Sequence, residues 1–301
     1  MTTLSKKIDF AIIFRVTKAN PNGDPLNGNR PRVDFAGHGE ITDVCLKRKV
    51  RDRLTDRYLG FGNDAAAKKG QAIFVQSDDR RIDESKNLRE RVGTVLTQEM
   101  LGERDTAIKK ACEHWFDVRA FGQVFPFKGK KQSKSKKDGA EANSEKDSDG
   151  VSIPVRGPIT VQSAFSIEPI DIEQIQIVKS TSLEGDGEKR QSDQMGMKHR
   201  IDRGIYECYG SMNPQLAERT GFSDADADVI KALLPKLFEN DASSARPDGS
   251  MEVLKVIWWK HNCKAGQHSS AKVHGSLTVN VDGSIALTNL AGLVPEVIDG
   301  F

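Results

Sequence analysis

The order in which strand and helix periods follow one another is the strongest constraint on how this chain can fold. Over residues 8–17, Phe10, Ile12, Phe14 and Val16 fall on one face and Asp9, Ala11, Ile13 and Arg15 on the other, a period of two that predicts a strand. The period then becomes helical over 41–59. Leu46, Val50, Leu54 and Tyr58 recur every fourth residue as the buried stripe, Thr42 is the N-cap, and Asp43 favours the helix dipole from the first turn. Alternation returns over 159–168, 172–179 and 201–209. Ser223 and Asp226 make a capping box for a second helix whose apolar face is Ile230, Leu233, Leu234 and Leu237, and 251–260 reads as a closing strand. The order β-α-β-β-α-β is that of ferredoxin-like folds and RNA-recognition modules, so the predicted class is α+β with a ferredoxin-like (RRM-like) sheet domain. A large insertion separates the first helix from the second strand.

Between these elements the readings are coarser. Residues 72–76 fit a short strand, 87–101 and 105–116 fit helices, and Asp282-Gly283 fits a two-residue turn between strands at 277–281 and 284–287. Residues 20–32 are dense in Asn, Gly and Pro, which predicts a long ordered loop, and ordered loops of that length are usually functional. Residues 128–150 contain no aromatic or large aliphatic side chain and are expected to be mobile, because nothing there offsets the entropy of ordering. A second polar loop over 180–200 ends in Met195-Gly196-Met197-Lys198-His199-Arg200.

Composition removes several classes. No run approaches the roughly 18–20 apolar residues that cross a bilayer, and the first residues lack an apolar signal core, so a cytoplasmic protein without a membrane role is expected. Cys45, Cys112, Cys208 and Cys263 form no CxxC pair, which argues against a disulfide framework or a cysteine zinc site. The chain also lacks a GxxxxGK[ST] loop, a GxSxG elbow and an HExxH helix. The 45 Lys and Arg almost cancel the 43 Asp and Glu, yet residues 1–60 carry 12 cations against 7 carboxylates while 151–301 carry 15 against 20. A basic front and an acidic back suit either holding a polyanion or stacking on further copies; ordinary soluble proteins drift in charge as well.

Lys47, Arg48 and Arg51 fan over about 100° of the first helix beside its stripe, so Lys47-Arg48-Lys49-Val50-Arg51 reads as a basic ridge on an anchored element. Arg30 and Arg32 precede it on the Pro-containing loop. Such clusters hold phosphates, and a solvated helix face is the competing reading. The stretch from Arg119 to Phe125 matches an aromatic RNA-binding strand at Arg119, Phe121, Gly122 and Val124 but departs from it at Ala120, Gln123 and Pro126; on that signature alone a core strand with a turn glycine fits better. His261, His268 and His274 fit no zinc spacing and are expected to be exposed or hydrogen-bonded. Met195 and Met197 read as core gap-fillers or as apolar wedges for bases.

Four separated strings occur in order: Asn22-Gly23-Asp24-Pro25 with Pro31-Arg32-Val33-Asp34, then Thr42 to Arg51, Asp117-Val118-Arg119-Ala120-Phe121-Gly122, and Arg156-Gly157-Pro158. Together they resemble the repeated backbone subunit of CRISPR interference (Cascade) complexes in its type I-C form, a crRNA-binding, Csd-type member of the RAMP superfamily. The likeness extends over most of the chain and is weakest at 128–150 and after 285. It implies a hand-like protein: a discontinuous palm (1–60 and 151–285), an inserted finger region (61–127), a Lys-rich loop (128–150), a thumb loop (180–200) and a C-terminal tail (286–301). It further implies a non-catalytic subunit without cofactor, stacked with further copies in a helical filament on one CRISPR RNA, beside the pre-crRNA-processing subunit and the large subunit. Base pairing then selects the foreign double-stranded target DNA while protein holds backbone and shape. On that implication Lys47, Arg48, Lys49 and Arg51 grip guide phosphates with Arg30 and Arg32. Arg119, Phe121 and Arg156 line the groove near the palm, Met195, Met197 and Lys198 stand in the thumb, and Lys130, Lys131, Lys134, Lys136 and Lys137 face DNA. Two rivals stand beside it: a metal-dependent endoribonuclease using an early-loop aspartate (Asp24 or Asp34), as related type III subunits do, and an independent single-stranded RNA-binding protein.

Overall fold

Strand Ile8–Ala19 runs through the middle of an antiparallel sheet in a computed structural model that describes residues 2–128, 150–178 and 195–301. It pairs on one side with Met195–Met212, from Ile8 opposite Met212 to Ala19 opposite Ile201, and on the other with Met251–Lys260. The strand order is Glu296–Asp299, Met251–Lys260, Ile8–Ala19, Met195–Met212, Ala164–Pro169, His38–Ile41, with Ile159–Val161 and Ile172–Val178 also paired to the long strand. The fold is therefore α+β.

The two-residue period sorts the first strand's side chains to opposite faces. Ile8, Phe10, Ile12, Phe14 and Val16 enter the main core, where Phe14 stacks on Tyr206 at 5.4 Å and Phe10 on Trp258 at 5.8 Å. Ala11 and Ile13 enter a smaller cluster behind the sheet with Ile205, Ile257, Trp259 and Val273. Both faces are thus covered, and each large side chain so buried stabilises the sheet by about 1.5–3 kcal/mol.

Helix Asp43–Gly60 closes the main core through Leu46, Val50 and Leu54. Its start is fixed by the Thr42 hydroxyl, which accepts from the Cys45 amide at 3.3 Å. Tyr58, on the same stripe, is only half-buried. Helix Asp224–Leu233 packs beside it through Ala227 and Ile230 and opens with the Ser223/Asp226 capping box.

The insertion has its own core. Phe74, Trp115 and Phe125 meet at 4.8–6.3 Å and pack with Val92, Leu96, Ala107, Ala111, Ile153 and Val155. Its hairpin, Gly122–Lys128 against Gly150–Arg156, draws residues 150–156 into this core and away from the central sheet.

Several expectations shift. Residues 72–76 form no strand; only Ala72 bridges Trp115, because the Asp117 carboxylate takes the amides that a neighbouring strand would have used. The helix expected over 87–101 breaks into Leu88–Gly93 and Gln98–Gly102, the second capped by Thr97. The turn at Asp282-Gly283 spans residues 280–284, since Val279 pairs with Ile285. The strand expected over 201–209 extends to Met195–Met212, taking residues 195–200 of the expected thumb loop into the sheet. Part of the expected tail forms the edge strand Glu296–Asp299.

Candidate nucleic-acid interface

The turn-rich loop after the first strand is held tightly. Gly23–Asp24 pairs with Arg30–Pro31, and Asn29 adopts φ 57° at the tip of that small ribbon. Asn22 ties the loop to the helix start, its side-chain oxygen accepting from both the amide and the hydroxyl of Thr42 at 3.0 Å. Asp24 accepts from Arg32 at 3.2 Å and from the Leu26 amide. Asp34 spends one carboxylate oxygen on the amides of Ala36 and His38, each at 2.9 Å. Arg30 is half-buried, and its guanidinium meets no carboxylate among the described residues.

The basic run on the first helix divides by burial. Lys47 is about a quarter exposed and leans on Asp43 at 2.8 Å, one turn back. Arg48 is more open and shared between Asp52 and Asp79. Lys49 is buried: it pairs with Asp241 and lies over the Phe238 ring, and burial pushes its ammonium below the ordinary lysine range. Arg51 donates to Asp117 at 3.0 Å and lies over Phe121 at 5.2 Å. The expected four-membered ridge is thus corrected to two outward cations, Lys47 and Arg48, and two turned inward, Lys49 and Arg51. Asp117, which takes Arg51, also accepts from the amides of Phe74 and Val75 at 2.7 and 3.0 Å.

Arg119 is likewise committed to the scaffold. Its Nε and Nη2 donate to the two oxygens of Asp226 at 3.0 and 2.8 Å, and Nη1 donates to the carbonyls of Gly70 and Cys112. All three nitrogens of the fork are engaged, four of its five N–H groups donating within the buried scaffold, so this residue serves the fold, as its strand signature suggested, rather than the groove-lining role the family resemblance implied. The same motif ends on Gly122, at φ 81°, where a Cβ would overlap the carbonyl oxygen of Val155; a Cβ on Gly157 would overlap that of Ala120. These glycines let two backbones cross in contact. The Asp117–Gly122 and Arg156-Gly157-Pro158 strings are therefore in large part the joint between insertion and sheet.

That joint opens onto a groove of about 470 Å³. Lys47 stands on one wall, Arg156 and Gln123 on another, and Phe121, Val124 and Ile159 supply apolar surface. Arg156 is exposed and has no carboxylate partner among the described residues. The arrangement combines an exposed arginine and a partly exposed lysine with an apolar floor, which suits a sugar–phosphate chain better than a small buried ligand.

The remaining expected residues lie elsewhere. Met197 is half-exposed on the long strand opposite Gln176, and Lys198 donates to the Ser244 carbonyl. Met195 belongs to the same strand, opposite Val178. Lys130, Lys131, Lys134, Lys136 and Lys137, and residues 180–194 of the expected thumb, lie outside the described residues. Sequence reasoning missed the carboxylates that neutralise the inward cations, Asp117, Asp226 and Asp241. Only Asp226 had announced itself, as a helix cap. Behind the sheet, His261 is hydrogen-bonded, one of the two expected outcomes, and buried as well: Nε2 lies 2.8 Å from Asp9 and Nδ1 accepts from the Gln267 amide.

The family model described as CRISPR-associated protein Cas7 matches residues 6–290, and this chain belongs to that family. A CRISPR-associated protein Cas7 from Haloferax volcanii is 26% identical over 99% of this chain and 82% of its own length. A chain of a pre-nicking CRISPR RNA-guided surveillance complex aligns over 84% of this chain and 75% of that one, at 16% identity and a TM-score of 0.45. A chain of a second CRISPR RNA-guided surveillance complex aligns over 84% and 68%, at 15% identity and a TM-score of 0.41.

Proposed function

We propose that this chain is a non-catalytic RNA-binding backbone subunit of a type I-C CRISPR interference complex, repeated as a helical filament along one CRISPR RNA. Membership of the Cas7 family supports the setting. The observation that carries the RNA reading is the groove beside the first helix, which the exposed Arg156 and the partly exposed Lys47 line over an apolar floor. In this reading Lys47, Arg48, Arg156, Arg30 and Arg32 contact guide phosphates. Lys49, Arg51 and Arg119 hold the surfaces that carry them. Phe121 and Met197 offer apolar contacts to bases or sugars.

The order of strands 251–260, 8–19, 195–212 and 164–169, with helices 43–60 and 224–233 in one core, supports a ferredoxin-like palm. The separate aromatic core supports a finger comprising 61–128 together with 150–156. Residues 130–137 are proposed to hold DNA: removing them weakens DNA capture and spares guide RNA. CRISPR RNA, target DNA, further copies, the processing subunit and the large subunit are the proposed partners, in the cytoplasm. For Asp24 and Asp34, the aspartates of the nuclease alternative, turn and ion-pair roles already account for the contacts they make.

The test is to express the protein with a CRISPR array, purify it, and run its nucleic acid on a denaturing gel. An RNA of uniform length bound to a multimer is the expected result. RNA-free monomers that bind any short oligonucleotide would contradict it, and regularly spaced, Asp34-dependent cuts in complementary RNA with Mg²⁺ would favour the enzyme.

A further inference from the structure

A second cleft adjoins the groove described above and shares Pro154, Val155 and Arg156 of strand Gly150–Arg156 with it. Helix Arg104–His114, that strand and helix Pro214–Thr220 pack against one another around it, enclosing about 680 Å³. Arg104, Lys109, Arg156 and Arg219 line it, all exposed, and none pairs with a carboxylate among the described residues. The one carboxylate in the lining, Asp105, is in the position one turn before Lys109 where an ion pair would normally form, yet no such pair is made. Arg104 occupies the first turn of its helix, where a cation is disfavoured by about 0.3–1 kcal/mol, so helix stability does not explain it. Four cations gathered without partners around one cavity repel one another unless something anionic sits among them.

A second observation points the same way. Thr220 lines the cleft and is 5% exposed, and its buried hydroxyl has no hydrogen-bond partner. A buried hydroxyl left unpaired costs about 1–3 kcal/mol, and because this one is closed to solvent a ligand oxygen would recover that cost on a small opening of the cleft wall. Ile108 and Pro154 give the cleft an apolar floor. Arginine forks around a hydroxyl donor match the oxygens of a phosphodiester, and the apolar floor matches the sugar or base that accompanies it.

We propose that this cleft binds the phosphate backbone of a single nucleic-acid strand, separate from the strand held in the groove at Lys47. That it is a second strand rests on the proposed guide role; the phosphate chemistry of the cleft does not. Arg156 lines both sites, so it is left intact in the test.

Full-length protein, purified with whatever RNA it carries, is titrated with a fluorescein-labelled single-stranded DNA oligonucleotide not complementary to that RNA, across a range of salt. The double variant Arg104→Gln/Arg219→Gln is expected to keep the RNA content and melting temperature of the parent. It should bind the oligonucleotide about ten-fold more weakly, with a log–log salt slope shallower by about 1.4, or 0.7 for each lost contact. Thr220→Val, nearly the same shape, should weaken binding about three-fold. Unchanged affinity and slope in the folded double variant would overturn the proposal. So would loss of self-association with oligonucleotide binding intact, since the cleft would then receive an acidic segment of another copy. Should the parent carry no RNA yet bind the oligonucleotide through Arg104 and Arg219, the guide role fails and the cleft stands.

Discussion

Lys47 and Lys49 are two residues apart on one helix and meet opposite fates. Lys47 stands at the edge of an open groove and leans on a neighbouring carboxylate, whereas Lys49 is buried against Asp241 and the Phe238 ring. The same contrast separates Arg156 from Arg119. One is exposed with no carboxylate partner among the described residues; the other is buried with all three of its guanidinium nitrogens donating to Asp226 and two carbonyls. Positive charge in a motif therefore has two uses here. Inward cations are matched by carboxylates brought from far along the chain and hold the joint between insertion and sheet. Outward cations meet at most partly exposed carboxylates, as Lys47 and Arg48 do, or none among the described residues, as with Arg156, and stay within reach of a ligand.

The largest effect should come from breaking an inward pair. Arg119→Ala leaves Asp226 buried without its partner, and urea unfolding is expected to show a loss of about 3–5 kcal/mol. A loss below about 1 kcal/mol would mean that this arginine is not structural and would erase the distinction. Gly122→Ala should be next, at about 1–3 kcal/mol, because its φ of 81° and the Val155 carbonyl both oppose a Cβ. By contrast, Lys47→Gln should change stability by less than about 0.5 kcal/mol, since its pair with Asp43 is a partly exposed one-turn contact. A larger loss would move Lys47 to the structural group.

The pH response sharpens the comparison from behind the sheet. His261 and His274 flank Asp9, with Lys7 at 3.1 Å from the same carboxylate and His268 near His261. Burial holds both imidazoles below their ordinary value of 6.5, although Asp9 opposes it. The unfolded chain then takes up protons first as pH falls, so stability declines progressively below about pH 6.5 and is retained above it. His261 also accepts from the Gln267 amide at Nδ1, a bond that protonation there would break. Melting curves should show the decline flattened in His261→Gln, whose amide can still reach Asp9. An unaltered profile would remove this histidine from the account.

What was legible in the sequence follows from how local each signal is. The first strand, the helix with its Thr42 cap, the Ser223/Asp226 box and the strand at 251–260 all declare themselves within one period or one turn. The insertion does not, because its helices are short and Asp117 supplies hydrogen bonds that pattern reading assigns to a strand. The division of the basic run was equally hidden. Whether a lysine on that helix is buried or free depends on Asp241, 192 residues distant, and no spacing along the helix reports it. Arg104 and Arg219 escaped notice for the converse reason. They stand on separate short elements, and only the fold gathers them.

In the proposed function, outward cations bind RNA while inward ones hold the scaffold. The most direct measurement is the RNA content of purified protein carrying Arg30→Gln, Lys47→Gln and Arg156→Gln together, read by absorbance ratio beside a melting curve. RNA occupancy should fall at least ten-fold with an unchanged melting temperature; full occupancy in a folded triple variant would contradict this division of roles.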